Sequence, residues 1–362
     1  MTALKMNILI NAYSCSPNMG SEPGMAWNWC VNLAKYCELY IITEEEFRYN
    51  IEAVVPTLPQ GKNMHFYFNP LPEKVRVMCR NQGDWRFYYY YRQWQKKTLE
   101  IAKQICKEHD IDILHQLNMI GYREPGLLWK IKGPKFVWGP IGGLGQMPVS
   151  YLKGAGIKTN AFNRLKNMIN ALQYRYQYNV RQAVFHANAL IAATSGSQKK
   201  LQDFYHKPVY LINETGCNVM EHVDKQFSSS ETMNLLWVGK MDFRKQLHLA
   251  VAVLGKLKDL DVILHVCGSG MSEQISNMEM LAHKLGVSDK LNYHGVVTHD
   301  EVLRMMKLYD LLLFTSISEG TPHVVQEAIA YHLPVVCHDT CGQGDCVDES
   351  IGYKVPISCP KQ

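Results

Sequence analysis

Leu311-Leu-Leu-Phe-Thr-Ser-Ile-Ser-Glu-Gly-Thr-Pro-His-Val-Val-Gln-Glu-Ala328 reads as a buried strand, a loop and the start of a helix. Its first four residues are uninterruptedly apolar, as in a strand covered on both faces. Pro322 falls near the first turn of the helix, where a missing N–H costs nothing. Strand, loop and helix in this order form the repeating unit of a parallel α/β sheet. The first-turn N–H groups and Gly320 suit a phosphate. Glu319 and Glu327 are eight residues apart, a little over two helical turns by rise, so they need not share a task. Read alone, the two carboxylates fit equally well as surface charges placed favourably against the helix dipole.

The same alternation runs outward in both directions. Upstream lie strand 234–238, helix 247–257, strand 262–266, helix 272–285, strand 290–294 and helix 300–308; downstream, strand 334–337 follows helix 323–331. The N-terminal part opens with strand 7–11, a Gly/Pro/Ser loop to Gly24, a helix with Trp27, Val31 and Leu33 on its apolar face, and strand 39–43. Further strands are expected at 112–115, 135–138, 189–192 and 209–212. The pattern lapses between them only at 219–232, which includes Phe227-Ser-Ser-Ser-Glu-Thr232. The expected organisation is therefore an N-terminal domain over 1–218, a linker over 219–232 and a C-terminal domain over 233–362. Each is a doubly wound, Rossmann-like α/β unit, the class in which ligands bind at the carboxyl ends of the strands.

Composition agrees. The 362 residues are 47% hydrophobic and 20% charged, enough for two packed cores and unlike a disordered chain. The apolar run near Met1 reads as a strand and not as a leader, and no stretch approaches a membrane span. Eleven irregularly spaced cysteines look like reduced thiols, which points to the cytoplasm. Residues 1–230 hold 27 Lys/Arg against 17 Asp/Glu, whereas 231–362 hold 11 against 16. A cationic half joined to an acidic half is expected to face something anionic. No nucleic-acid module is recognisable, so an anionic membrane surface is the expected partner.

A second loop follows strand 234–238. Gly239-Lys-Met-Asp-Phe-Arg-Lys245 places Lys240, Arg244 and Lys245 on one strand-to-helix connection, where a diphosphate would relieve their mutual repulsion. This loop and the Glu-x7-Glu element starting Glu-Gly-x-Pro resemble the signatures of glycosyltransferase family 4, retaining nucleotide-sugar transferases of the GT-B fold. Gly268-Ser-Gly270, Tyr293-His-Gly-Val-Val297, Pro334-Val-Val336 and Gly352-Tyr-Lys-Val-Pro356 extend the resemblance, with looser matches at Pro17–Gly24 and Asp112–His115.

The resemblance implies a retaining glycosyltransferase moving a sugar from a UDP- or GDP-linked donor to a glycan or lipid-linked acceptor, as in bacterial cell-surface polysaccharide synthesis. It implies no metal and no cofactor beyond that co-substrate. By the same resemblance Lys240 and Lys245 would hold the diphosphate, and Glu319 would meet the sugar. Gly320 and Gly268 would lie near the phosphates, Glu327 at the ribose and Val296 near the base. His115 would contact the sugar, with Gly20 and Gly24 letting backbone approach the donor; alone, His115 reads as readily as a core histidine. Glu319, His115 and Lys245 are the residues expected to be catalytic.

Four positions depart from the pattern: Lys240 where Arg is usual, His332 where Gly is usual, Asp345 where Glu is common, and an end at Gln362 where further helices are usual. The last implies a less constrained interdomain hinge. An epimerase of the same fold and a non-catalytic binding subunit are the alternative readings.

Three other signals are set aside. Asp110-Ile-Asp112 and Asp259-Leu-Asp261 precede strands, whereas a metal-binding pair should follow one. Cys341 and Cys346 lack a second pair at zinc spacing. Gly139–Gly145 is glycine-rich but lacks dinucleotide spacing and is read as a loop. Finally, residues 71–108 carry nine Lys/Arg against four acids among Trp85, Phe87, Tyr88–Tyr91 and Trp94, and residues 151–182 carry six and no acid. Both segments suit a membrane interface, or a solvated helix with its aromatics turned inward.

Overall fold

The computed structural model describes residues 5–80, 84–145, 157–217, 225 and 232–356. It holds two compact units, each built on one wholly parallel sheet. The N-terminal strands are β1 (Asn7–Ala12), β2 (Glu38–Glu44), β3 (Met64–Asn69), β4 (Ile113–Asn118), β5 (Lys135–Ile141), β6 (Ala189–Ala192) and β7 (Val209–Leu211). They lie in the order β3-β2-β1-β4-β5-β6-β7. The C-terminal strands are β8 (Met233–Val238), β9 (Val262–Cys267), β10 (Leu291–Gly295), β11 (Leu311–Phe314), β12 (Val335–His338) and β13 (Gly352–Val355), in the order β10-β9-β8-β11-β12-β13. Both sheets thus share the 3-2-1-4-5-6 order of a doubly wound domain, which reverses beside its first strand.

Period-two patterning explains why each strand is covered on both faces. In β8, Leu235 and Trp237 join one core with the helices Leu247–Lys256 and Ser272–Leu285, while Leu236 joins the other. In β11, Leu313 enters the first core, and Leu312 and Phe314 the second, with the helices His299–Leu308 and His323–Ala330. Two further cores flank β1, β2 and β4 of the N-terminal sheet.

Three local features differ from the expectation. Strand β3 is an additional element, with Met64, Phe66 and Phe68 on one core and its short run interrupted by His65 and Tyr67. Gly139-Pro-Ile141, read as loop, continues β5, and Ile141 pairs with Ala192 of β6. Gly352–Val355, noted only as a motif, is the edge strand β13. The 219–232 linker falls outside the described residues except at 225 and 232. The first unit ends at Glu214, the described residues 157–168 group with the second, and Thr215 already bonds within the second. Its Oγ1 lies 2.6 Å from His323 Nε2, and its carbonyl accepts from Gln326 Nε2 at 2.8 Å. The two Asp-x-Asp pairs serve strand entrances. Asp112 accepts from Asn7 N at 2.8 Å, and Asp261 from Thr232 Oγ1 at 2.7 Å. The ten described cysteines are free thiols.

Candidate active site

In a parallel sheet all strands end on the same edge, and the edge of the C-terminal sheet gathers most of the candidate residues. Strands β8 and β11 are hydrogen-bonded neighbours. The loops that follow them, 239–246 and 315–322, therefore leave the sheet side by side at the point where its order reverses. They are tied backbone to backbone and by side chain. Ile317 N donates to the Arg244 carbonyl at 3.0 Å, and Thr315 Oγ1 donates to the Lys245 carbonyl at 2.7 Å while accepting from Trp237 Nε1 at 3.0 Å.

Two glycines make these approaches sterically feasible. Gly268, after β9, has φ of +148°, and a Cβ there would stand 1.7 Å from the Gly239 carbonyl oxygen. A Cβ on Gly342 would stand 1.5 Å from the Gly320 carbonyl oxygen. Side chains at either position would force apart the loops that form the edge. His332 has φ of +55°, the left-handed region that glycine enters freely, which explains why glycine is usual at that point of the resembling pattern.

The charges are organised around Glu319. Its carboxylate accepts from Lys245 Nζ at 2.7 Å, from Ser316 Oγ at 2.6 Å and from Arg244 Nη1. Arg244 also reaches the Ser318 carbonyl at 3.3 Å, and Asp242 lies 3.7 Å away. The Lys245 ammonium is 5.0 Å above the Phe314 ring, a cation–π arrangement. Lys240 is exposed on the same loop. Three cations thus face two carboxylates, so the loop expected to be a bare cationic cradle is largely compensated from within.

Glu327 stands further along, on helix His323–Ala330. It lies 2.7 Å from His299 Nε2, at the start of the helix that follows the exposed Val296. Burial lowers the pKa of nearby His323. The first-turn N–H groups of His323 and Val324 find no acceptor among the described residues, as expected for the open start of a helix. The edge therefore brings together Lys240, Lys245, Gly268, Val296, Glu319, Gly320 and Glu327. Sequence reasoning missed Ser316, His299 and Gln343, whose buried amide donates to the Ser316 carbonyl at 3.0 Å. Only the positions of Ser316 and His299 beside the two motifs could have marked them.

His115, Gly20 and Gly24 belong to the N-terminal unit. His115 is buried in β4, and its Nε2 donates to the Gly139 carbonyl at 2.7 Å. Burial drops its pKa to about 4, which keeps the imidazole neutral. Its ring meets Trp29 edge-on at 5.8 Å. Gly24 lies within helix Ser21–Leu33, where a Cβ would strike the Met19 carbonyl oxygen, whereas a Cβ on Gly20 would meet open space. Glu22 between them accepts from Ile120 N at 2.9 Å, and burial raises its carboxyl pKa. Among the described residues no group of three His, Cys, Asp or Glu side chains is placed to hold a metal ion.

Residues 220–358 match the family described as "Glycosyl transferases group 1". No curated protein matches the chain in sequence. In fold the whole chain is similar to a lipopolysaccharide outer core galactosyltransferase, WaaB, at TM-score 0.61 and 14% identity, covering 96% of this chain and 86% of that one. It is also similar to WaaG, a glycosyltransferase involved in lipopolysaccharide biosynthesis, at TM-score 0.53 and 19% identity, covering 97% and 86%. Anabaena Alr3699/HepE, solved in complex with UDP and glucose, aligns at TM-score 0.52 and 14% identity over 96% and 86%. Motif, sheet order and likeness agree: the chain is a glycosyltransferase of the GT-B fold whose residues 220–358 match the glycosyl transferases group 1 family.

Proposed function

We propose that this enzyme transfers a sugar, with retention at the anomeric carbon, from a UDP- or GDP-linked donor to a glycan or lipid-linked acceptor of cell-surface polysaccharide synthesis. The observation that carries the donor reading is the pairing of loops 239–246 and 315–322 at the reversal point of the C-terminal sheet. Lys245 and Arg244 there share Glu319, and the start of helix His323–Ala330 lies open beside them. In this reading the diphosphate sits against Lys240, Lys245, Gly268, Gly320 and the first-turn amides, where cations and N–H dipoles take up the charge that develops on the leaving phosphate.

Glu319 then has two tasks. It fixes the Lys245 ammonium and the Arg244 guanidinium in place, and its remaining lone pairs face the sugar hydroxyls. Glu327, oriented by His299, accepts from the ribose hydroxyls, and Val296 flanks the base. Gly20, Gly24 and neutral His115 are assigned to the sugar and acceptor side. The complexes of HepE with UDP support the choice of a nucleotide donor. The acceptor reading includes an anionic membrane surface on the cytoplasmic side, supported by the excess of Lys and Arg in the N-terminal half.

The test is turnover of a panel of UDP- and GDP-sugars, read as released nucleotide with and without acceptor extracts. Lys245→Ala should cut turnover roughly 100-fold, the usual loss for one group that stabilises transition-state charge. Unaltered turnover in this variant would refute the assignment.

A further inference from the structure

The aromatic, basic helix Arg86–Glu108 turns Phe87, Tyr91 and Trp94 inward and leaves Tyr88 and Tyr89 exposed. Phe87, Tyr91 and Trp94 are buried around Tyr13, whose ring centroid lies 5.9, 5.2 and 5.1 Å from theirs. Helix Ile157–Tyr176 leaves every large aliphatic side chain exposed. At 100° per residue, its Phe162, Leu165, Met168, Ile169, Leu172 and Tyr176 share an arc of about 120°. All six are exposed, by 41% to 69%.

The cations flank that arc. Lys166 projects about 40° beyond one border, and Arg164 and Arg175 project about 40° and 20° beyond the other. The helix is held by its remaining surface. Buried Asn170 accepts through its carbonyl from Tyr122 Oη at 3.0 Å and through its side chain from Arg123, and Arg123 Nε donates to Gln173 Oε1 at 2.7 Å. No Asp or Glu occurs between Glu124 and Asp203.

A solvated helix would place its charges outward and its apolar side chains inward. We infer that helix Ile157–Tyr176 is the element that docks this enzyme on an anionic lipid leaflet, lying in the interfacial plane with Phe162, Leu165, Met168, Leu172 and Tyr176 among the acyl chains. Arg164, Lys166 and Arg175 reach from both borders to lipid phosphates, the geometry in which long basic side chains keep their charge in the headgroup layer. The assignment deepens the proposed membrane partnership and rests on it. Among the described residues no helix is long and apolar enough to cross a membrane, which suits an element lying in the plane.

The test is flotation with vesicles of equal parts phosphatidylcholine and phosphatidylglycerol, and with phosphatidylcholine alone. The unmodified enzyme should float with the anionic vesicles. Leu165→Ser, Met168→Ser and Leu172→Ser combined should lower the bound fraction roughly 10-fold, since three large apolar side chains no longer enter the lipid. Arg164→Gln, Lys166→Gln and Arg175→Gln combined should erase the preference for anionic vesicles. Circular dichroism and nucleotide binding, which these residues do not touch, should be unchanged in both variants.

Exposed Trp85, Tyr88 and Tyr89 supply the control. If their triple Ser variant loses binding while the 165/168/172 variant floats normally, the helix assignment fails and the membrane partnership stands. If the unmodified enzyme floats with neither vesicle, both fail. A dimer by light scattering that the 165/168/172 variant converts to monomer, without lipid binding, would assign the stripe to a second copy and overturn the inference.

Discussion

The two units share a sheet order and differ in what they place at the carboxyl ends of their strands. The C-terminal edge is ionic: Arg244, Lys245 and Ser316 converge on one carboxylate, Glu319, with a helix start open beside them. The N-terminal edge keeps one ion pair, Glu44 at the end of β2 with Arg76 at 2.9 Å, and is neutral beside β1 and β4. Asn11 Nδ2 bridges Gln95 Oε1 and Gln116 Oε1, both at 2.8 Å, Gln116 Nε2 donates to the Asn118 carbonyl at 2.7 Å, and His115 is held uncharged beside them. A charged edge suits a ligand whose diphosphate is the same in every donor. Neutral amides and a buried imidazole suit recognition by hydroxyl groups, which differ from one acceptor to the next.

Gly268→Ala should break the charged edge most thoroughly. The new methyl group meets the Gly239 carbonyl oxygen at a backbone angle that side chains rarely adopt. A cost of about 3 kcal/mol or more to the C-terminal unit is expected, together with nucleotide affinity lowered roughly 100-fold. Thermal unfolding with and without nucleotide checks both; an unchanged transition would show that the loops do not depend on this contact.

The neutral edge is probed through pH. His115 titrates at about 4 when folded, against an ordinary value of 6.5. The unfolded chain therefore binds the proton more readily, and the neutral ring's contribution, complete above pH 6.5, is lost as pH falls towards 4. That loss amounts to about 3 kcal/mol. His115→Gln, which retains a donor for the Gly139 carbonyl, should flatten stability between these limits in urea titrations. A variant with the same pH slope as the parent would place the slope elsewhere.

Much of the fold was legible because buried parallel strands are short apolar runs, and β1, β8, β9 and β11 announce themselves. Strand β3 was less legible: Met64, Phe66 and Phe68 alternate with His65, Tyr67 and Asn69, but the run is short and the largely apolar Tyr67 blurs the period. At the site, Lys245, Glu319 and Glu327 were legible as residue types in a spaced pattern. Their partnerships were not, because the contact of Arg244 with Glu319 spans 75 positions and depends on β8 and β11 being neighbours. Nor could composition separate the two aromatic, basic segments. Only packing shows that Phe87, Tyr91 and Trp94 are core while Phe162, Leu165 and Leu172 are surface.

Isothermal calorimetry with UDP, GDP and their sugar conjugates, on the unmodified enzyme and on Glu327→Ala, tests the central claim most directly. One nucleotide should bind with the others far weaker, and loss of the Glu327 carboxylate should weaken that binding about 10-fold, the cost of unpaired ribose hydroxyls. Absence of binding by any nucleotide, or equal affinity in the Glu327→Ala variant, would contradict the account.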